Sequence, residues 1–205
     1  MSEVLLLHHV QGLTEGVQSF ADTLRQAGHS VHTPDLFDGR TFGTLEEGMA
    51  FARETGFEAL GERGLAAAEG IRPDVVYAGF SFGVMTAQQL AQTRPGARGA
   101  LLMYSCLPVS EFGEAWPEGV PVQVHGKEGD EFFLEDVEAA RALVEQSDDA
   151  ELFLYPGTEH LFADSSLPAY DPAAAALLTE RVLAFLDLGG RPATSPSVST
   201  SVTGS

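Results

Sequence analysis

The chain has 205 residues, 44% of them hydrophobic, and its 30 Asp and Glu against 11 Lys and Arg give a formal net charge of −19. That length holds one well-filled domain and is short for two, while so acidic a chain repels polyanions, which excludes nucleic acid as a partner. No apolar run reaches the length of a membrane span, the N-terminus carries no basic region followed by a long apolar stretch, and the single cysteine, Cys106, can form no internal disulfide; a cytoplasmic protein with no membrane partner is the expectation.

Val4–Leu7 reads as a buried strand, with His8-His9-Val10-Gln11-Gly12 directly after it, at the end where parallel sheets bind ligands. Val17, Phe20, Ala21 and Leu24 then fall at helical spacing and stop at Ala27-Gly28. Ser30 to Phe37 reads as a second strand ending in a proline turn. From Asp38 to Glu54 the chain is rich in glycine and charge, and the helical segments around Leu45 to Arg53 and Phe57 to Glu69 are interrupted on paper by Gly48, Gly56, Gly61 and Gly64. This region is either a broken helix over a site or a weak crossover between strands.

Val75, Val76 and Tyr77 form the next strand, and Ala87, Leu90 and Ala91 mark a helix that Pro95-Gly96 ends. Between them lies Gly79-Phe-Ser81-Phe-Gly83, a Gly-x-Ser-x-Gly elbow. Turning a strand sharply into a helix strains the central residue and leaves no room for side chains beside it, hence the two glycines. The Ser81 hydroxyl is thereby lifted to a helix N-terminus, where developing negative charge is favoured.

Gly99–Tyr104 and Val120–His125 are further strands, Phe132 to Gln146 a helix, and Leu152–Tyr155 a last strand. Asp171-Pro172 caps a final helix that carries Leu178, Val182, Phe185 and Leu186 inward. Strand and helix alternate throughout, which predicts an α/β fold with a mostly parallel sheet of about six strands flanked by helices. Residues 1–189 form the domain; residues 190–205, almost all Gly, Pro, Ser, Thr, Ala and Val, are expected to be disordered.

A serine nucleophile needs a base and an oxyanion hole, and α/β hydrolases place nucleophile, acid and histidine in that chain order after successive strands. The loop Gly126-Lys-Glu-Gly-Asp130-Glu131 offers Asp130 as the acid, with Glu128 and Glu131 as competitors and a helix cap as the plain structural role. His160, in Pro156-Gly-Thr-Glu-His160-Leu-Phe-Ala163, is placed to take the Ser81 proton and return it to the leaving group. The backbone amides of Val10 and Phe82 would form the oxyanion hole, and His9 and Gln11 are expected at the substrate pocket. No cofactor is expected and no metal, because the adjacent His8 and His9 point in different directions without a carboxylate beside them. Cys106 reads as a quiet buried thiol, and Phe112 and Trp116 either border the substrate opening or pack as an apolar lid on the core. The competing functional reading is a noncatalytic small-ligand-binding protein on the same fold.

Over residues 3 to 188 the chain resembles the dienelactone hydrolase family: in the opening strand with His8-His9-Val10-Gln11-Gly12, in Pro34-Asp-Leu-Phe37, in the elbow, in the loop ending at Asp130, in Tyr155 to Ala163, and in the last helix with Glu180-Arg181. The resemblance implies a small α/β hydrolase whose founding members use a Cys, His, Asp triad. Ser81 stands where they have cysteine, His9 where they have an activating carboxylate, and Asp164 at the position of an arginine that grips a substrate carboxylate. A serine carboxylesterase or lactonase acting on a small neutral ester or lactone is therefore expected, with a negative charge at Asp164 disfavouring an anionic dienelactone.

Overall fold

A computed structural model describes residues 1–189; the segment expected to be disordered lies outside the described residues. Six strands, β1 (Glu3–Leu7), β2 (Ser30–His32), β3 (Val76–Phe80), β4 (Gly99–Met103), β5 (Val122–Lys127) and β6 (Ala150–Tyr155), form one sheet in the order β2-β1-β3-β4-β5-β6. Every neighbouring pair is parallel, with Leu7 opposite Gly79 and Met103 opposite His125.

Both faces of the sheet are covered, and the strands divide their side chains between two cores. Leu5, Leu7, Tyr77, Ala100 and Leu102 point to one core, which is closed by Ala52, Leu60, Ala87, Leu90, Ala140 and Leu143. Those residues lie on α2 (Leu45–Thr55), α3 (Phe57–Glu69), α4 (Phe82–Thr93) and α5 (Glu131–Gln146). Val4, Leu6, Val76, Ala78, Leu101 and Met103 point to the other, closed by α1 (Glu15–Gln26) and α6 (Pro172–Asp187) through Val17, Phe20, Leu24, Leu178, Val182 and Phe185. The period-two alternation within each strand is what sends a nearly continuous apolar run to two separate cores.

The helix ends follow from local chemistry. Thr14, Thr44, Asp130 and Asp171 each accept a first-turn amide at the N-terminus of α1, α2, α5 and α6, and Pro172 opens α6 at a position where no amide partner is lost.

Three local expectations are corrected. The second strand stops at His32 rather than reaching Phe37: Pro34 has no amide for a ladder, and Leu36 and Phe37 turn into the core, with the Leu36 amide donating to His8 Nε2 at 3.0 Å. The β5 strand runs on to Lys127, so Gly126 and Lys127 belong to the sheet and not to the loop. Of the four glycines between residues 45 and 69 only Gly56 (φ 94°) breaks the helix. Gly48 and Gly64 are close-approach positions instead: a Cβ on Gly48 would lie 2.2 Å from the Val10 carbonyl oxygen, and one on Gly64 would lie 2.9 Å from Thr86. The segment is thus a crossover of two whole helices, the first resting on the loop after β1.

Candidate active site

The strand order reverses direction between β1 and β3, so the connections leaving their C-terminal ends part and leave a crevice, the usual ligand position in an open α/β sheet. Ser81 follows β3 at this crevice and residues 8–12 follow β1.

Ser81 takes φ 46° and ψ −108°, a strained backbone for a residue with a side chain, and costs of this kind are on the order of 1–3 kcal/mol. One non-local and one local hydrogen bond hold it. Its amide donates to the Met103 carbonyl at 2.7 Å, and its carbonyl accepts from the Val84 amide at 2.8 Å. The elbow glycines are sterically required: a Cβ on Gly79 would sit 2.5 Å from the Gly83 backbone, and one on Gly83 would sit 2.5 Å from the Leu7 carbonyl oxygen and 2.8 Å from that of His8. The start of α4 therefore lies directly against the end of β1. Although Ser81 is the N-cap residue of α4, its hydroxyl makes no capping bond and is left for another partner.

That partner is His160, whose Nε2 lies 2.8 Å from Ser81 Oγ. Its Nδ1 lies 2.6 Å from Asp130 Oδ2. With Nδ1–H donating to the carboxylate, Nε2 is free to accept the Ser81 proton. The imidazole is 8% exposed and Asp130 1%. Glu128 and Glu131, the competing acids, are exposed, and neither makes this contact. Asp130 is also the N-cap of α5, its Oδ1 accepting from the Phe132 amide at 3.0 Å, so the contact with His160 and the helix cap are carried by different oxygens of one carboxylate.

The acid and histidine loops are joined through the backbone. The Glu128 amide donates to the Tyr155 carbonyl at 2.9 Å and the Gly129 amide to the Gly157 carbonyl at 3.0 Å, continuing the β5–β6 ladder. Lys127 adds a charged link that sequence reasoning missed. It is buried, and its ammonium reaches Glu159 and Asp171 at 2.7 Å each and lies 5.2 Å from the centre of the Phe162 ring. Burial alone would lower the Lys127 pKa, yet the two carboxylates raise it, and the ammonium in turn lowers both of theirs. A lysine ending a strand carries no local sign of such burial.

His160 is bracketed by Tyr104, with ring centres 5.6 Å apart, and by Phe132 at 4.9 Å. Phe132 is 55% exposed, an aromatic ring held at the site with its outer face in solvent, and Phe57, partly exposed, packs on Phe82 beside the serine. Trp116 is buried, with its indole N–H donating to the Val120 carbonyl, and belongs to the core; Phe112 is half-buried. A cleft of about 700 Å³, lined by Thr14, Arg40, Phe42 and Ser166 among others, does not include Ser81.

The structure places His9 and Gln11, expected at the substrate pocket, inside the protein. Gln11 Nε2 donates to the Phe42 carbonyl at 3.0 Å, and the Gln11 carbonyl accepts from the Phe42 amide at 3.0 Å. His9 Nε2 lies 2.8 Å from Asp164 Oδ2. Asp164 is therefore not a negative charge facing a substrate, as its position suggested: it is 4% exposed, with Thr14 and Ser166 as its further partners. His8 accepts from Leu36 and donates to the His9 carbonyl, and burial pushes its pKa down to about 4. Burial likewise pushes the Cys106 thiol up to about 12, which leaves it an inert core group. Among the described residues no group of three or more His, Cys, Asp or Glu side chains is arranged to hold a metal ion, and no helix is long and apolar enough to cross a membrane.

A doubly covered parallel sheet with a strained serine at the β3–α4 turn defines the class of the protein as an α/β hydrolase. The dienelactone hydrolase family model matches residues 1–188, and the chain belongs to that family, whose members are hydrolases of ester bonds. No curated protein matches the sequence. Among solved structures, a dienelactone hydrolase-like promiscuous phosphotriesterase from metagenomic libraries is 19% identical with a TM-score of 0.73, over 92% of this chain and 86% of that one. The dienelactone hydrolase of Anabaena variabilis is 19% identical with a TM-score of 0.67, over 91% and 86%. A zinc-bound cold-adapted esterase from an Arctic intertidal metagenomic library is 19% identical with a TM-score of 0.63, over 93% and 82%. At these identities the likeness is one of fold.

Proposed function

We propose that the protein hydrolyses a small neutral ester or lactone through an acyl-Ser81 intermediate. The observation that carries the reading is the unbroken row from Ser81 Oγ to His160 Nε2 at 2.8 Å and from His160 Nδ1 to Asp130 Oδ2 at 2.6 Å. His160 takes the hydroxyl proton as Ser81 attacks the carbonyl carbon, and returns it to the leaving alkoxide as the tetrahedral intermediate collapses. Water then enters, loses its proton to the same imidazole and releases the acid, with Ser81 regaining its proton. Asp130 holds the ring and favours the imidazolium that forms between the steps. The amides of Val10 and Phe82 bind the oxyanion, helped by the N-terminus of α4.

The substrate side of the reading rests on the aromatic rings of Phe132, Phe57 and Phe82 around the serine and on a net charge of −19, which together suit an uncharged, apolar ester. A noncatalytic binding role would have no use for a strained serine at hydrogen-bond distance from a buried imidazole. A cytoplasmic location belongs to the same reading, on the single buried cysteine.

Incubation with p-nitrophenyl acetate and with a fluorophosphonate probe tests it. Turnover and labelling are expected in the native protein, and both should vanish in Ser81→Ala. Labelling that persists in that variant would refute the assignment.

A further inference from the structure

His9 and Asp164 are 155 positions apart in the chain, one in the loop after β1 and the other four residues beyond His160, and their side chains meet in the interior. Asp164 Oδ2 accepts from His9 Nε2 at 2.8 Å and from the Thr14 hydroxyl at 2.5 Å; Oδ1 accepts from the Ser166 amide at 2.9 Å and its hydroxyl at 2.6 Å. Its own amide donates to the Leu161 carbonyl at 3.0 Å, in the turn that follows His160. Room for the carboxylate is built in: a Cβ on Gly16 of α1 would fall 1.7 Å from Asp164 Oδ1.

The other face of the His9 ring fixes the loop in which it sits. His9 Nδ1 accepts from the Gln11 amide at 3.2 Å, which sets the tautomer: Nε2 carries the proton and donates it to Asp164. The His9 carbonyl accepts from the Gly12 amide at 3.0 Å and from His8 Nδ1 at 2.8 Å. Val10 thus sits between two residues, His9 and Gln11, that are tied to each other and through the ring to Asp164. Its carbonyl is confined from the far side by Gly48, and its amide donates to no acceptor among the described residues.

We propose that Asp164 is a positioning residue for the oxyanion-binding amide of Val10, acting through His9 to hold the loop after β1 in register with the loop that carries His160. The proposal rests on the acyl-Ser81 reading above for the role of that amide. One carboxylate makes the distance between base and oxyanion donor a fixed property of the fold, where otherwise two loops on strands separated in the sheet would vary independently. Thr14, as both a partner of Asp164 and the N-cap of α1, ties the same point to the first helix. A donor amide displaced by about 1 Å is worth about 100-fold in rate, so small slack in this link is costly. Burial alone would raise the Asp164 pKa, but the bonds from His9, Ser166 and Thr14 lower it, so the link is charge-assisted at neutral pH.

The test compares Asp164→Asn, Asp164→Ala and His9→Gln in the full chain, measuring kcat and KM on p-nitrophenyl acetate, Ki for a trifluoromethyl ketone, and thermal unfolding. Asp164→Asn retains an acceptor for His9 and should lose about 10-fold in kcat; Asp164→Ala should lose about 100-fold, both with KM within twofold. Ketone affinity should fall in proportion to kcat/KM, since the bound adduct carries the oxyanion, and the pH midpoint of kcat/KM should not move, because Asp130 and His160 are untouched. His9→Gln keeps a donor for Asp164 but loses the rigid ring that presents an acceptor to the Gln11 amide at the same time, and should fall like Asp164→Ala. Unchanged kcat in a folded variant, or a fall in kcat with ketone affinity intact, overturns the proposal. Should Asp164→Ala not fold, the other two variants decide. Should the native protein turn over no ester, the parent reading falls on its own, and the amide resonance of Val10 still decides the link: it should shift in Asp164→Asn, and an unmoved resonance sinks it.

Discussion

His160 Nδ1 donates a 2.6 Å hydrogen bond to Asp130, a carboxylate whose second oxygen caps the helix behind it. The imidazole is therefore held by an acid that cannot swing away without uncapping α5. Acid orientation and helix stability are coupled in one side chain, and the two can be separated by substitution.

Asp130→Asn keeps an oxygen acceptor for the Phe132 amide and removes the charge. We expect kcat to fall by about 10³–10⁴ with little change in stability, whereas Asp130→Ala should show the same loss of rate plus about 1 kcal/mol of destabilisation. Steady-state kinetics beside urea melts check both; a rate loss in Asp130→Asn of less than tenfold would place the histidine under some other control.

Phe132 should set the preference of the site. Its ring is half in solvent and 4.9 Å from that of His160, so Phe132→Ala removes an apolar wall with little cost to the core. Contact with a ligand's apolar group is worth about 1–2 kcal/mol, so kcat/KM for an aryl or butyryl ester should drop by roughly 5- to 30-fold while that for an acetyl ester changes little. Equal losses across the series would take Phe132 out of the binding surface.

Gly48 and Gly61 lie on neighbouring helices and should respond oppositely to alanine. At Gly48 a methyl group meets the Val10 carbonyl at 2.2 Å, so Gly48→Ala is expected to cost about 1–3 kcal/mol and to lower kcat by displacing the loop after β1. At Gly61 nothing lies within 4 Å, and Gly61→Ala should stabilise by up to about 1 kcal/mol through helix propensity. Thermal melts and ester kinetics on the pair provide the measurement, and a neutral Gly48→Ala would contradict the close approach of α2.

Acid should destabilise the protein well before its carboxylates are protonated in bulk. Burial lowers the pKa of His8 to about 4 and of His125 to about 3, against an ordinary value near 6.5. Between those limits the unfolded chain binds protons that the folded one refuses, so stability is full above about pH 6.5 and declines as pH falls through that window, by on the order of 3 to 5 kcal/mol per histidine at its lower end. The lowered carboxyl of Asp164 acts in the same direction, its contribution being lost as pH falls through its folded pKa. Circular-dichroism melts from pH 7 to pH 4 should show a continuous fall in Tm, and His125→Phe should flatten it. A Tm independent of pH across that range would show that both rings charge in place.

What the sequence by itself determined was whatever contiguous residues decide. Strand and helix periods, the cap at Asp171, and the glycines that a tight strand-to-helix turn demands are effects of neighbours along the chain, and they sufficed for the parallel α/β architecture and for the position of Ser81 within it. Glycine was legible only where the strain is local: Gly79 and Gly83 announce the elbow, but Gly48, Gly64 and Gly16 are small because of atoms 38, 22 and 148 positions away.

The tertiary structure decided everything that depends on which distant side chains meet. Gly126-Lys-Glu-Gly-Asp130-Glu131 favours Asp130 by its place before the helix but leaves Glu128 and Glu131 in competition; the β5–β6 ladder and the cap of α5 decide which carboxylate turns inward. Asp164 reads as a charge beside the substrate until His9, Thr14 and Ser166 are seen to enclose it, and the burial of Lys127 shows only once Glu159 and Asp171 are seen to close over it. Burying a charge is unfavourable unless opposite charges or hydrogen bonds are present at the same point, and that condition is met by pairings across the fold, which the local sequence does not contain.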